Sequence, residues 1–293
     1  MAAKRVSIIG LGLIGGSLGL ALKQAKGPEL EIIGFARRSE VAAEAIRRGA
    51  VDAIEPRLAG AVSNADVVIV ATPLMAMRDI FRKISRHLSP HAIVSDVGST
   101  KGQVIEWARI HLPGNINFVG GHPMTGKETS GIDQAQADLF RDCIYCLTPA
   151  PNASSEASKV MEYLVESVGA RPLFIEAAQH DEMVAGISHL PLLLSSALVS
   201  TLARDDRWAE MSTLAASGFR DVSRLASGSP EVHRGICATN QQAIVGWIDR
   251  YIENLKDYRR LVLENDQELE KVLRAARKVR DKWLESEGRR FNK

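Results

Sequence analysis

Cysteine is scarce in this sequence of 293 residues, which contains only Cys143, Cys146 and Cys237. Three unevenly spaced cysteines are too few for a disulfide framework, so the chain suits a reducing cytoplasm. Cys143 and Cys146 form a C-x-x-C pattern, but it lies in the short apolar run CIYCLT, and no second pair of ligands follows nearby. We therefore interpret both as buried cysteines of a strand rather than as a zinc or redox site.

An excess of either charge is lacking too, because 37 lysines and arginines nearly balance 35 aspartates and glutamates, for a formal net charge of +2. This balance argues against the basic stripe that nucleic-acid binding requires. The first residues, MAAKRVSIIG, lack the apolar core and cleavage site of a signal peptide. We also expect no uncharged apolar run of the roughly 18 residues that a membrane helix needs. The sequence thus predicts a cytoplasmic protein without a nucleic-acid or membrane partner.

Two halves of the chain differ in their pattern of apolar residues. From residue 4 to about residue 175, short β-branched runs such as VSIIG, EIIGF and DVVIVA alternate with helical stretches. Continuous apolar strands separated by helices predict a mostly parallel sheet that is covered on both faces. We therefore expect a doubly wound α/β domain of the Rossmann type over residues 1–175.

The strand pattern stops after about residue 176, and the remaining chain has helical spacing. Its longest stretch places an apolar stripe on one side of a helix, formed by Ile244, Trp247, Ile248, Tyr251 and Leu255. Such a stripe needs a partner surface, so either the helices fold onto each other or two chains share them. We expect an all-α C-terminal domain over residues 176–293 that forms a homodimer.

A glycine-rich turn follows the first predicted strand. VSIIG runs into GLGLIG, with Gly10 shared by both, and the helical stretch GSLGLALKQ comes directly after it. A G-x-G-x-x-G pattern alone is weak evidence, but between a first strand and a first helix its N–H groups and the helix dipole can hold a pyrophosphate. The residues that we predict to bind a dinucleotide here are Gly10, Gly12, Leu13, Ile14 and Gly15.

The second predicted strand, EIIGF, is not followed by the acidic residue that would bind the ribose hydroxyl of NAD. The sequence has Ala36, Arg37, Arg38 and Ser39 there instead. A carboxylate would repel the 2′-phosphate of NADP, whereas two guanidinium groups and a hydroxyl can bind it. The alternative is a pair of exposed arginines beside a loop. We expect NADP to be the preferred cofactor, with NAD possible.

Two further strand ends should line the same cleft, because ligands of open parallel sheets bind beyond the carboxyl ends of the strands. The residues that we predict to contact the cofactor there are Ala71, Thr72, Pro73 and Asp96. Ser99 or Thr100 also suits the N-cap of the helix that follows. Lys101 is expected to be an exposed cation or one that faces a phosphate.

One histidine stands in GHPMTGKETSG, a stretch too rich in glycine, threonine and serine for a helix. Because it follows the predicted strand NFVGG, His122 should face the cleft from a loop. Its ordinary pKa near neutrality suits it to accept a hydroxyl proton as hydride leaves. The alternative is a histidine that only hydrogen-bonds its own loop. We expect His122 to be a general base, and Thr125 and Gly126 to bind the substrate.

Several motifs, in their order along the chain, resemble the prephenate and arogenate dehydrogenases of tyrosine biosynthesis: GLGLIGGSLGLAL, SDVGSTKG, GGHPMTGKETSG, ISHLP and GFRDVSRLASGSP. The resemblance spans residue 5 to about residue 255, and GGHPMTGKETSG and ISHLP with GFRDVSRLA are its most specific parts. It implies an α/β cofactor domain, a helical dimer domain, and oxidative decarboxylation of prephenate or arogenate with hydride transfer to NAD(P).

The same resemblance implies roles for individual residues. His122 would be the catalytic base, and Ser99 would orient it through a hydrogen bond. His189 in ISHLP would be a second active-site histidine, and Arg224 in VSRLA would bind the ring carboxylate of the substrate. The alternatives are a core histidine at His189 and a surface or capping arginine at Arg224.

The two substrates differ only in their side chain, so the residue that meets it should decide between them. The resemblance puts His233 there, and a histidine suits a keto acid and an amino acid alike; we favour prephenate or use of both. Arg220, four residues before Arg224 in a predicted helix, would help to bind an anion. Two other classes stay open: an oxidoreductase like the imine reductases and β-hydroxyacid dehydrogenases, and a non-enzymatic NADP-sensing protein.

Overall fold

The computed structural model describes residues 3–26, 29–126, 129–264 and 266–291, so that Lys127, another candidate cation of the cleft, lies outside the described residues. The chain divides into two compact units, Met1–Gln241 and Gln242–Lys293. All of the described strands belong to the first unit, and the last of them ends at Phe174. The first unit continues past residue 175, and the predicted domain boundary there stays a prediction.

Eight strands form one sheet in the order β3-β2-β1-β4-β5-β6-β7-β8. β6 and β7 are antiparallel, and every other described pair is parallel. The predicted mostly parallel sheet is therefore confirmed. The strands are β1 (Arg5–Ile9), β2 (Glu31–Phe35), β3 (Ala53–Ile54), β4 (Val67–Val70), β5 (Ile93–Asp96), β6 (Asn117–Pro123), β7 (Ile144–Pro149) and β8 (Arg171–Phe174).

Helices cover both faces of this sheet: α1 (Leu13–Lys26), α2 (Ser39–Arg47), α3 (Leu58–Val62), α4 (Leu74–Ile84), α5 (Gly102–His111) and α6 (Ser155–Ser167). Adjacent strand residues point into two different cores. Ile8 belongs to a buried cluster with Leu22 of α1, whereas Ile9 belongs to a second cluster with Phe81 of α4. Strands that are buried on both faces must be apolar throughout, which explains the continuous apolar runs and confirms the doubly wound class.

The carboxyl ends of the central parallel strands meet at one edge of the sheet. β1 pairs with β2 on one side and with β4 on the other, so the strand order reverses between β1 and β4. A crevice opens at such a reversal, beyond the strand ends. The loops that the sequence analysis selected follow β1, β4 and β5, and they therefore border this crevice.

A long helical stretch follows the sheet. It comprises α7 (Ala177–Val184), a π-helical turn (Ala185–His189) and α8 (Leu190–Leu202). Its length and composition would allow it to cross a membrane, although buried core helices of water-soluble proteins pass the same test. The expectation that the sequence has no such run was wrong, because residues 183–203 contain no Asp, Glu, Lys or Arg.

Short helices complete the first unit: α9 (Trp208–Thr213), α10 (Ser217–Ser223), a 3₁₀ turn (Arg224–Ser227) and α11 (Pro230–Thr239). A buried hydroxyl fixes the segment 217–227 to α8. Ser195 donates a hydrogen bond from Oγ to the carbonyl oxygen of Val222 at 2.8 Å and accepts one from the backbone N–H of Ala226 at 3.2 Å. This serine therefore helps to hold the segment on α8.

Two long helices form almost all of the second unit, α12 (Gln241–Glu264) and α13 (Asp266–Phe291). The predicted apolar stripe lies on α12, where Ile244 is buried and Leu255 is exposed. Further large apolar side chains are exposed on both helices, among them Val262, Leu263, Val279 and Trp283. The helical character predicted for this part of the chain is confirmed.

Candidate active site

The glycine-rich turn between β1 and α1 has the shape that a dinucleotide phosphate needs. Gly10 has φ +101°, and a Cβ there would lie 2.6 Å from the carbonyl oxygen of Ala71. A Cβ on Gly15 would collide with the carbonyl oxygen of Gly10, whereas one on Gly12 would meet nothing within 4 Å. The turn is thus closed on its inner side and open at Gly12. The buried Leu13 begins α1, with Ile14 next to it, so the helix N-terminus faces that opening.

The loop after β4 lies directly against this turn, because Ala71 and Thr72 are the neighbours that a Cβ on Gly10 would touch. Thr72 has a buried Oγ1 with no hydrogen-bond partner within the described chain, and Pro73 is exposed at the start of α4. A buried hydroxyl without a partner is rare in folded proteins and suits a site that receives a polar ligand.

Three exposed residues follow β2, at the start of α2: Arg37, Arg38 and Ser39. Ser39 donates a hydrogen bond from Oγ to Glu40 at 3.1 Å. Within the described residues, neither arginine side chain has an ion pair or hydrogen bond. Both guanidinium groups are therefore available to an anion.

Asp96, predicted to contact the cofactor, is completely buried at the end of β5. One oxygen accepts a hydrogen bond from the N–H of Gly98 at 2.7 Å, and the other accepts one from the N–H of Gly121 at 3.1 Å. It also forms an ion pair with Lys101, whose Nζ donates to the carbonyl oxygen of Gly121 at 2.5 Å. The expectation of an exposed or phosphate-facing Lys101 was wrong, because its ammonium is enclosed and neutralised by Asp96.

His122 lies within β6 and not in a loop after it, which corrects the prediction. Its strand continues because it pairs with β7 on its far side, where Cys146 lies opposite His122. The prediction of a buried strand cysteine is confirmed for Cys146 but was wrong for Cys143, which is half-buried and precedes β7. His122 is only 8% exposed, and burial, together with the positive charges of nearby residues including Lys101, places its pKa well below the ordinary value. His122 is therefore a neutral base at neutral pH.

Two residues that the sequence analysis missed stand behind His122. Nδ1 of His122 and Nε2 of His180 are joined by a hydrogen bond of 2.9 Å, and Nδ1 of His180 lies 2.8 Å from Oδ1 of Asp181. Both residues belong to α7 and are buried. The pair stands in the polar run QHDE, which is typical of an exposed helix face, so no clear signal in the sequence indicated it.

Asp181 also holds the N-terminus of α5. Its two carboxylate oxygens accept hydrogen bonds from the backbone N–H groups of Lys101 at 2.8 Å and Gly102 at 2.9 Å. The prediction that Ser99 or Thr100 caps this helix through its side chain was wrong, because Asp181 satisfies the free N–H groups instead. Thr100 has a different partner, Oγ1 of Thr239, at 2.8 Å.

His189 ends the π-helical turn and lies near both other histidines. Asn240 holds its Nδ1 at 3.3 Å and donates a second hydrogen bond to the backbone oxygen of Asp181 at 2.7 Å. Burial lowers the pKa of His189 to about 4, although Asp181 and the backbone of Ser99 oppose the change. Its Nε2 is buried without a partner at hydrogen-bonding geometry in the described chain.

Ser99 therefore lies beside His189, in the half-buried loop after β5. No hydrogen bond joins it to His122 within the described residues, and Nδ1 of His122 is bonded to His180. The expectation that Ser99 orients His122 through a hydrogen bond was wrong for this structure, and His180 occupies that position.

The remaining candidates for substrate binding are more exposed than this buried cluster. Arg220 and Arg224 are exposed on the segment that Ser195 holds, and Arg220 pairs with its neighbour Asp221 at 3.4 Å. His233 of α11 is partly buried, with its ring against Gly228. Burial lowers the pKa of His233.

Thr125 and Gly126 follow β6. Thr125 donates a hydrogen bond from Oγ1 to the carbonyl oxygen of Leu139 at 3.2 Å, and Gly126 is exposed. The structure thus brings together His122, His189, Asp96 and Ser99. No hydrogen bond joins these four to Thr125 or Gly126 within the described chain.

Two adjoining family models match the chain. One, described as "Prephenate dehydrogenase, nucleotide-binding domain", matches residues 18–174, and the other, "Prephenate dehydrogenase, dimerization domain", matches residues 176–276. A prephenate dehydrogenase of Bacillus subtilis (strain 168) is 33% identical over 279 residues, which is 94% of this chain and 75% of that protein.

Two solved structures are similar over almost their whole length. Synechocystis arogenate dehydrogenase has a TM-score of 0.82 at 33% identity and covers 95% of this chain and 99% of its own. Prephenate dehydrogenase from A. aeolicus, in complex with hydroxyphenyl propionate and NAD+, has a TM-score of 0.90 at 27% identity. The match covers 96% of this chain and 99% of that one.

Acid should destabilise the fold through its buried histidines. The pKa values of His122 and His189 are lower in the folded chain than in an unfolded one, so the unfolded state binds protons first as the pH falls. The contribution of these neutral histidines to the free energy of unfolding should be fully present above about pH 6.5. It should decline toward about pH 4, by about 3 kcal/mol for His189 alone. Urea unfolding followed by circular dichroism across this range measures the decline.

The matched variants are His189→Gln and His87→Gln, since His87 is exposed on the surface. The decline should be smaller in His189→Gln and unchanged in His87→Gln. Equal declines in both variants would contradict a buried neutral His189.

Proposed function

The chain belongs to the prephenate dehydrogenase family, and on this premise we propose that it oxidises and decarboxylates prephenate, arogenate or both with a nicotinamide dinucleotide. The product is 4-hydroxyphenylpyruvate or tyrosine. Membership of this family separates the chain from the imine reductases and β-hydroxyacid dehydrogenases. The observation that carries the proposal is a buried, neutral His122 at the crevice edge whose Nδ1 is already bonded, so that Nε2 is the nitrogen left for the substrate.

The glycine-rich turn fits a dinucleotide. The space at Gly12 and the close approach at Gly15 are what a pyrophosphate on the N-terminus of α1 requires. Thr72, with its buried hydroxyl, and the neighbouring Ala71 and Pro73 would line the same ligand. When bound, the dinucleotide supplies the hydride acceptor. Asp96 acts indirectly, because its oxygens hold Lys101 and the backbone of Gly98 and Gly121.

His122 would take the proton from the ring hydroxyl of the substrate. General bases of this kind contribute roughly 10²- to 10⁴-fold in rate. Loss of the ring carboxylate as CO2 makes the ring aromatic, so the step is effectively irreversible. A neutral His122 suits this task, because a base that is already protonated at working pH cannot accept the hydroxyl proton.

The other site residues are proposed in roles that follow from the family resemblance. Arg224 would bind the ring carboxylate as a positioning residue, because holding it too tightly would oppose its loss. Arg220 would add positive charge on the same segment, and His233 would meet the substrate side chain. His189 would act as a second active-site histidine through its buried Nε2. Ser99 would support the site from the adjacent loop.

We propose that NADP is preferred over NAD. Arg37 and Arg38 stand where an acid would bind the ribose of NAD, and both guanidinium groups have no ion pair within the described residues. Arginine binds phosphate through two parallel N–H bonds. Ser39, at the start of α2, would add a hydroxyl, if its bond to Glu40 is exchanged for one to the phosphate.

We also propose a homodimer in the cytoplasm. The second family model describes a dimerization domain, and α12 and α13 expose large apolar side chains that water disfavours. The three cysteines are free, as a reducing compartment would leave them.

The reaction is tested by mixing purified protein with prephenate or arogenate and with NADP or NAD, in all four combinations. Absorbance at about 340 nm should rise in at least one of them, as the reduced nicotinamide forms. His122→Asn should lower kcat by roughly 10²- to 10⁴-fold because it removes the base. His87→Asn, an exposed histidine, is the matched control. Dinucleotide binding without turnover in any combination would favour the NADP-sensing alternative.

The cofactor preference is tested with the double variant Arg37→Asp, Arg38→Ala. It should reduce the ratio of kcat/KM for NADP to that for NAD by more than the roughly 10- to 100-fold expected for one charge-assisted phosphate contact, because two such contacts are lost and the new carboxylate repels the phosphate. Arg109→Ala, an exposed arginine of α5, should leave the ratio unchanged. A double variant with the wild-type ratio would refute binding of the 2′-phosphate by these arginines.

The dimer is tested by light scattering during size-exclusion chromatography. The mass should be twice the 31.9 kDa of the chain. Exchanging Val279 and Trp283, both exposed on α13, for serine should shift the protein toward the single-chain mass. A single-chain mass for the wild type at all concentrations would contradict the proposal.

A further inference from the structure

A continuous row of hydrogen bonds runs from the proposed base to a carboxylate on another element. It begins at His122 in β6, passes through His180 in α7 and ends at Asp181. The rings of His122 and His180 meet edge to face, with centroids 5.1 Å apart and planes at 69°. All three residues are at most 8% exposed, so water does not compete for these bonds.

The bond partners assign every proton in this row. Asp181 accepts the N–H groups of Lys101 and Gly102, as an ionised carboxylate does, so its Oδ1 must also accept from His180, and Nδ1 of His180 carries a proton. In a neutral imidazole the other nitrogen is then an acceptor. Nε2 of His180 therefore accepts from Nδ1–H of His122, and Nε2 of His122 keeps its lone pair.

We propose that His180 and Asp181 are positioning residues for the base: they hold His122 in the tautomer whose Nε2 can accept a proton, and they stabilise the imidazolium that forms when it does. This inference deepens the proposed function and rests on it. Proton transfer leaves His122 with a positive charge and two N–H groups. One of these remains bonded to His180, and His180 in turn stays bonded to the negative charge of Asp181 through its own N–H, so the charge on His122 is stabilised where it forms.

The surroundings explain why this support is needed. Lys101, His180 and His189 face His122, and a positive charge on any of them opposes one on His122. Asp96 does not offset this, since its charge is already paired with Lys101. Asp181 is the acid at the end of the hydrogen-bonded row, and so it is the group that can stabilise a newly formed imidazolium.

Asp181 is a poor first target for mutation, because it also caps α5 and its loss would disturb the fold. His180 can be separated into its two functions. In His180→Gln the side-chain oxygen takes the place of Nε2 and still accepts from His122, but the bond to Asp181 is lost. In His180→Asn the side-chain nitrogen takes the place of Nδ1 and still donates to Asp181, but His122 loses its acceptor.

The experiment records ¹⁵N spectra of histidine-labelled protein at neutral pH, which report the tautomer of each ring, and measures kcat and KM on the same samples. Wild-type His122 should carry its proton on Nδ1. His180→Gln should keep that tautomer with kcat about 10-fold lower, and His180→Asn should lose it with kcat about 10²-fold lower, while KM changes little in either. His87→Asn is the matched control and should change neither measurement.

A wild-type His122 protonated on Nε2, or a folded His180→Asn with the wild-type tautomer and kcat, would overturn the inference. If His180→Asn does not fold, His180→Gln decides alone: loss of the Nδ1–H tautomer or an unchanged kcat would overturn it. Absence of turnover by the wild-type protein would refute the proposed function, and the spectra would still decide whether His180 sets the tautomer of His122.

Discussion

The carboxylate of Asp181 is the group on which the candidate site depends. It accepts the first N–H groups of α5 and the ring N–H of His180, so three donors compensate for removing its charge from water. The same group therefore fixes the loop after β5 and the helix that stands behind His122. Loss of this one carboxylate would remove hydrogen bonds both at the cofactor crevice and in α7.

A second buried acid performs a similar task beneath the strand. Asp96 neutralises Lys101, and Lys101 in turn holds the carbonyl oxygen of Gly121, the residue before His122. The backbone that carries His122 is thus bonded on one side to a salt bridge and on the other to the antiparallel strand β7. Such fixed charges and dipoles need no reorganisation when a charge develops, which is the main electrostatic advantage of an enzyme over water.

The fold could be predicted because continuous apolar runs with helices between them suit a sheet that is buried on both faces. The glycine-rich turn and His122 were also predictable as candidates, since strand ends meet at one edge, whereas Asp96 was selected for a cofactor contact and is instead completely buried. His180 and Asp181 were not predictable, because nothing in the spacing links a helix near residue 180 to β6. Lys101 was misjudged for a similar reason: lysines are seldom fully buried, and its partner becomes apparent only in three dimensions.

The π-helical turn at Ala185–His189 has a consequence for the phase of the long helix. A regular α-helix turns about 100° per residue, so side chains nine positions apart, as His180 and His189 are, would point in opposite directions. One wider turn between them acts as a single inserted residue and rotates the second half back by about a quarter of a turn or more. Both imidazoles can then face the same crevice, so the geometry of the site depends on the count of residues in this helix as well as on their identity.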